Sequence, residues 1–333
     1  MGFSPNPFTF FIPFLPTFFI SISYNRWGVD SKSYPTIPYK KEGFGIGFEI
    51  PLKQKLTQMK KFVIIGTAVT VVGLAGSSFR NEKQLPEITN ETQIKELPVQ
   101  KNEAFKRGES LSFRMHYGII DAGVATLSVT DEAVEIGGRK TFHVVGIGKS
   151  RGAFDWVFKV RDRYETYIDE QAIVPWLFVR RVSEGSYTCN QDYIFNHYSE
   201  KVNVGEPKLY DIQPNMQDMV SAFYHARTMD LSGAKPGDIY SINAFVDKEV
   251  FPVKIKFIGR ETIKTDLGTF KCLKFRPIIQ QGRIFKHEED LNIWISDDKN
   301  HIPIQGQANV LVGSIKMDLT SYSGLANPVA KVD

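Results

Sequence analysis

Leu111-Ser112-Phe113-Arg114-Met115-His116-Tyr117-Gly118-Ile119 is the stretch whose reading decides the fold class. Successive side chains of a strand point to opposite faces, so the alternation of Leu111, Phe113, Met115, Tyr117 and Ile119 with Ser112, Arg114, His116 and Gly118 makes one dry face and one wet face. A turn at Asp121-Ala122-Gly123 follows. Ala125, Leu127 and Val129 then alternate with Thr126, Ser128 and Thr130. The same period returns at Tyr240/Ile242/Ala244/Val246 and at Phe251/Val253/Ile255/Phe257, the second opposed by Lys254 and Lys256, with Asp247-Lys248 as the turn between them. Further strands read at 270–279, 290–295, 302–308 and 310–322. Short links between half-apolar strands predict a mainly β fold, an antiparallel curved sheet or partly open β-barrel.

One packed α-helix, at about 215–230, interrupts the strands. Pro214-Asn215 opens residues 216–229, which carry Met216, Met219, Val220, Phe223 and Ala226 on one face. Asn215 is the expected N-cap, with Asp218 in the first turn. Residues 152–160 carry Phe154, Trp156, Val157 and Phe158 and read as a short helix or a lipophilic loop.

Upstream, Met59-Lys60-Lys61 is followed by an apolar run over 62–76 and the small residues Gly73, Ala75 and Ser77. Basic start, apolar core and small-residue exit are the parts of a secretory signal peptide, assigned to 59–77. The 58 residues before it hold 9 of the 25 Phe and 7 of the 17 Pro, and alternation such as Pro13-Phe14-Leu15-Pro16 suits neither helix nor strand. Residues 1–58 are read as an upstream extension arising from start-site assignment, with translation beginning at Met59; the alternative is a hydrophobic anchor at 8–22. No cysteine follows the signal, which argues against a lipid anchor, while an uncleaved inner-membrane anchor is the second possibility. The expected location is outside the cytoplasm, in the periplasm or cell envelope of a Gram-negative bacterium. Residues 78–107, polar and broken by Pro86 and Pro98, read as a flexible linker; 108–323 as a single β-rich domain; and 324–333 as a tail.

The formal net charge is +4, of which +3 lies in residues 1–58, and removing Lys60 and Lys61 leaves about −1 for the mature chain. Nothing electrostatic therefore favours nucleic acid as a partner. Two cysteines, Cys189 and Cys272, could pair in an oxidising compartment, but both lie in strand-like runs far apart in sequence, and two buried free thiols are at least as much expected.

Gly108-Glu109-Ser110-Leu111-Ser112-Phe113, with Tyr117-Gly118 and Ala122-Gly123, resembles the opening of an exported bacterial family, domain of unknown function 3108. The segment 218–224 (Asp-Met-Val-Ser-Ala-Phe-Tyr) resembles its central part. So do Leu267-Gly268-Thr269-Phe270-Lys271-Cys272 and Trp294-Ile295-Ser296-Asp297-Asp298 followed by Ile302-Pro303. The resemblance spans about 105–323. It implies an envelope β-rich fold and supplies no catalytic residues.

The remaining motifs yield no chemistry. Gly146-Ile147-Gly148-Lys149-Ser150 ends like a phosphate-binding loop, but position 143 is His143 where the motif needs glycine. His287-Glu288-Glu289-Asp290 sits beside Asp297, Asp298 and His301, yet neighbours on a strand face opposite ways, so this reads as a solvated edge with a hairpin turn at 297–300. His116 lies on the wet face with Arg114 and Ser112. No triad, zinc spacing or nucleophile elbow is visible. No catalytic residue, cofactor or metal is assigned.

Aromatics crowd 156–198, and Trp176, Leu177, Phe178 and Val179 are consecutive on a strand that ends in Arg180 and Arg181. A strand apolar on both faces is either sandwiched between layers or lines a lipophilic cavity. The candidate ligand-binding residues are Trp156, Phe158, Trp176, Phe178, Arg180, Tyr187 and Tyr193, with the arginine facing an anionic head group. The functional expectation is non-catalytic binding of a lipid, glycolipid or other apolar small molecule. The alternatives are an assembly factor with an envelope protein partner and, third, a hydrolase using His116 or the acids of 287–290.

Overall fold

The computed structural model of the chain describes residues 96–278, 291–309 and 314–332. Chain order is β1 (Ser110–Tyr117), β2 (Ile120–Ile136), β3 (Arg139–Ser150), α1 (Gly152–Val157), β4 (Arg161–Asp169), β5 (Pro175–Glu184), β6 (Tyr187–Asn196), β7 (Lys201–Asn203) and β8 (Leu209–Asp211). After these come α2 (Met219–Arg227), β9 (Ile239–Val246), β10 (Glu249–Thr265), β11 (Gly268–Pro277), β12 (Leu291–Ser296), β13 (Pro303–Asn309), β14 (Ser314–Ser323) and β15 (Lys331–Val332). The fold is the expected one, an antiparallel sheet that curves without closing.

Two meanders, β1 to β8 and β9 to β14, are joined where β1 pairs with β14. Met115 of β1 sits opposite Gly123 on one side and Met317 on the other. The edges of the ladder are thus β8 and β9. An open edge strand invites pairing with other chains, and β9 is protected by its own chain. Gln217 forms a parallel bridge with Ala244: its N–H donates to the Asn243 carbonyl (2.9 Å), and its carbonyl accepts from the Phe245 N–H (2.8 Å). Side chains span the remaining gap between the two ends of the sheet. Phe245 packs on Tyr193, Phe195 and Tyr210, and Arg180 pairs with Asp247 at 3.2 Å.

The Asp247-Lys248 turn forms as read, with φ of 45° and 69°, the left-handed pair of a primed hairpin turn. The helix starts later than expected. Asp218, not Asn215, is its N-cap, because residue 217 is taken up by the bridge to β9 and cannot enter a helix. Asn215 instead adopts a left-handed φ of 60°. The Asp218 carboxylate accepts from the backbone of Val220 (2.7 Å) and Ser221 (2.8 Å), while Ser221 Oγ accepts from the Asp218 N–H (2.8 Å), a complete capping box.

Both ends of the described chain reach further into the fold than their composition suggests. In the stretch read as linker, Ala104 and Phe105 are buried, with the Phe105 ring edge-on to Tyr224. In the stretch read as tail, β15 pairs with β11. Gly146–Ser150 are the last five residues of β3, followed by Gly152 with a φ of 58°. Cys189 and Cys272 are free thiols, Cys272 buried on β11. The signal segment 59–77, the extension before it and residues 78–95 lie outside the described residues.

Candidate functional site

Helix α2 crosses the inner face of the sheet and divides its side chains between two environments. Val220, Tyr224 and Arg227 are buried in the main core and towards β4, where Thr166 Oγ1 donates to the fully buried Asp218 (2.5 Å). Burial pushes the Asp218 carboxyl up to about 6, against the pull of its four hydrogen bonds. The other side, Met219, Ala222, Phe223 and Ala226, does not reach the strands it faces. It leaves a cavity of about 150 Å³.

The dry faces of β9 and β10, read from the period of two, form the cavity floor: Ile242, Ala244 and Val246 with Phe251, Val253 and Ile255. Phe275 of β11 and Ile293 and Ile295 of β12 continue it. Fifteen of the seventeen lining residues are apolar; Arg227 and His301 are the exceptions. Several of the apolar side chains stay half-exposed, Phe223, Phe251, Val253 and Ile293 among them, so the cavity is a groove with access and not a sealed void.

The two polar residues differ in availability. Arg227 is held by the fully buried Glu109, Nη1 and Nη2 donating to its two oxygens at 2.6 and 2.7 Å, while Nε donates to the Asn300 carbonyl (2.8 Å). The rings of Phe105, Phe223 and Tyr224 lie within 5.1–5.6 Å of its guanidinium. Its charge is thus neutralised in place. His301 is different. Its Nδ1 meets the Arg227 carbonyl at 2.8 Å and must be the donor there, which leaves Nε2 as an acceptor in the neutral ring. Nε2 makes no hydrogen bond among the described residues, and His301 has a left-handed φ of 46°, a conformation a non-glycine residue adopts only when its surroundings impose it.

The seven residues singled out from sequence take several positions, and none lines this cavity. Phe178, Tyr193 and Arg180 are buried behind β9, with Arg180 committed to Asp247 and to Gln191 Oε1 (3.3 Å). Trp176 lies on the outer face, where a register shift opposite Tyr167/Ile168 turns it to the same side as Leu177. Its indole N–H donates to Asp169 (3.0 Å), and its ring meets His197 edge-on. The unbroken apolar run of β5 is therefore a strand between two layers, Phe178 and Val182 inside, Leu177 and Val179 outside under Leu97 and Tyr198. Phe158 packs on Gly185, whereas Trp156 and Tyr187 are exposed.

His116 is held at both ring nitrogens, by Asp318 Oδ2 (2.7 Å) and the Gly118 carbonyl (2.7 Å), which leaves neither to act as a base. The acids of 287–290 lie outside the described residues. Asp298 organises the turn after β12, accepting from Ser296 Oγ and from the backbone and side-chain nitrogens of Asn300. Among the described residues no cluster of three or more His, Cys, Asp or Glu is arranged to hold a metal ion.

Among solved structures, the chain is similar to a β-barrel-like protein of the DUF1849 domain from Brucella abortus (TM-score 0.43, 12% identity, covering 69% of this chain and 98% of that one). It is also similar to a Bacteroides fragilis protein with a YmcC-like fold (0.30, 9%, 68% and 99%) and to the Mycobacterium tuberculosis lipoprotein LppX (0.14, 14%, 66% and 87%). At these scores and identities nothing is transferable from them to this chain. A search of curated proteins finds no match. The family model described as a protein of unknown function, DUF3108, matches residues 112–320, which include α2 and all or most of each strand from β1 to β14, and the chain belongs to that family.

Proposed function

We propose that this protein binds, without chemistry, one hydrocarbon chain of an amphipathic molecule in the groove between α2 and strands β9 to β12, and that it does so in the cell envelope. The observation that carries the reading is the cavity itself: about 150 Å³ of space lined by fifteen apolar residues and one hydrogen-bond acceptor. Dry apolar space of that size takes a benzene-sized group and is smaller than the roughly 300–1,000 Å³ of sites that enclose whole drug-sized ligands. The fit is therefore to a segment of one alkyl chain or one ring. His301 Nε2 would accept a hydrogen bond from a hydroxyl or protonated carboxyl at the polar end. The signal-like segment at 59–77 supports export.

The test is native mass spectrometry of protein purified gently from the envelope, paired with titration of an environment-sensitive fluorescent fatty acid. The reading expects a discrete adduct that lipid extraction removes, and saturable probe binding that Ala226→Trp abolishes. A clean apo mass together with probe binding unaffected by Ala226→Trp would overturn it.

A further inference from the structure

One end of the strand ladder carries a concentration of apolar surface that the cavity does not use. Large hydrophobic side chains exposed among the described residues number ten. Six of them, Ile119, Ile120, Trp156, Val157, Tyr187 and Val250, lie at or beside the β1–β2 turn, α1, the β5–β6 turn and the β9–β10 turn. Antiparallel alternation from β1 through β14 to β9 puts all of these connections at the same end of the strands. Ile119 and Trp156 are almost wholly in solvent, at 102% and 94%, and Val157 at 83%.

The part of this end around α1 is built, not frayed. The Arg151 N–H donates to the Ala122 carbonyl (3.0 Å), and Phe154 and Phe158 turn inward onto Ala122 and Val160. Asp155 is gripped by both Nη atoms of Arg161 (2.7 and 3.0 Å) and by Ser150 Oγ. Tying down Phe154, Asp155 and Phe158 holds Trp156 and Val157 outward. Around them Lys149, Arg151 and Lys159 are exposed and make no ion pair among the described residues.

We infer that this end docks on an anionic bilayer, with Trp156, Val157 and Ile119 entering the headgroup region and Lys149, Arg151 and Lys159 facing acidic lipid phosphates. Tryptophan and tyrosine favour the membrane–water boundary, and basic residues near the surface are drawn to anionic lipid. Six side chains on protruding turns fall well short of the roughly 20–30 residues a side that a standard protein interface uses, whereas a soft lipid surface accepts convex tips. Val246 and Phe251 bring one end of the groove to this same rim, but the inference does not rest on what the groove holds.

The test uses the full chain with vesicles of phosphatidylcholine alone or with about a third phosphatidylglycerol. The full chain has three other tryptophans, Trp27, Trp176 and Trp294, whose signal cancels in the fluorescence difference between the native protein and Trp156→Phe, so that difference reports the exposed indole whatever else tethers the chain. Bromine on the lipid chains should quench that difference signal about twofold on the anionic vesicles, and less in high salt. Trp156→Ser/Val157→Ser should weaken vesicle partitioning about a hundredfold, the scale of losing two apolar side chains from the headgroup region. An indole that stays open to aqueous quencher on both vesicle types would overturn the inference. So would a photoreactive group at position 156 that crosslinks to an envelope protein while giving no lipid adduct.

Discussion

Replacing Ala226 with leucine tests the cavity most directly, because the substitution changes little else. Ala226 lies in the last full turn of α2 and faces the space, and leucine is nearly as good a helix former as alanine. Leucine adds three carbons, worth about 0.8 kcal/mol each if buried, or about 2.4 kcal/mol in all. Fixing its rotamers costs about 0.5–1 kcal/mol, leaving a net gain near 1.5 kcal/mol. Denaturant unfolding of native and variant protein reads this as a raised midpoint at constant slope. The same variant should lose most of the stabilisation an amphipathic ligand gives, which for the native protein reaches about 2.7 kcal/mol at a hundredfold excess over Kd. A variant that unfolds more easily and still gains the full ligand-induced shift would show that the space is not where the ligand goes.

Other consequences follow from buried charge and close packing. Arg227→Met should destabilise by about 3–5 kcal/mol, because Glu109 stays buried with no partner, and Arg227→Met with Glu109→Gln should recover much of that loss in equilibrium unfolding. Burial and the neighbouring Glu184 carboxylate push the Asp162 carboxyl up to about 8. Between about pH 4 and pH 8 the folded chain therefore holds a proton the unfolded chain has released, so stability falls as pH rises through that window. Asp162→Asn should flatten this slope, by up to a few kcal/mol at the alkaline end, and a stability–pH profile unchanged by the substitution would refute the assignment. A Cβ on Gly123 would lie 2.7 Å from the Lys149 carbonyl, so Gly123→Ala should force β2 and β3 apart and lower the thermal midpoint by several degrees.

Much of the ladder is legible in the chain because strands such as β1 and the start of β10 keep strict alternation. In β1, buried Leu111, Phe113 and Met115 alternate with half-buried Ser112, Arg114 and His116, and the start of β10 keeps its exposed lysines opposite Val253 and Ile255. Reading fails where a residue's partner is distant in sequence. Gln217 gives no local sign that it will pair with β9, and that pairing moves the helix start from Asn215 to Asp218. Phe105 sits in a polar stretch, so composition suggests a linker, yet one ring packed on Phe142 and Tyr224 is enough to order its neighbourhood. Trp176 and Phe178 read as neighbours on one face until a bulge turns the indole outward to Asp169.

The groove escaped the sequence for a related reason. Its floor and its helix were both visible as apolar patterns, but a pattern shows which faces are dry and not whether they touch. An apolar helix over an apolar sheet normally closes tightly. Here Ala222 and Ala226 sit where larger side chains would fill the gap, and the groove is the volume those two alanines leave. The same economy explains why β9 is the strand concerned. As an edge it is braced from behind by Phe245 on Tyr193 and Phe195 and at Asn243–Phe245 by Gln217. It therefore needs no filler on its inner face to stay in place. A strand held from two other sides can line an empty groove without collapsing into it, and that is the property a pre-formed site for an apolar chain requires.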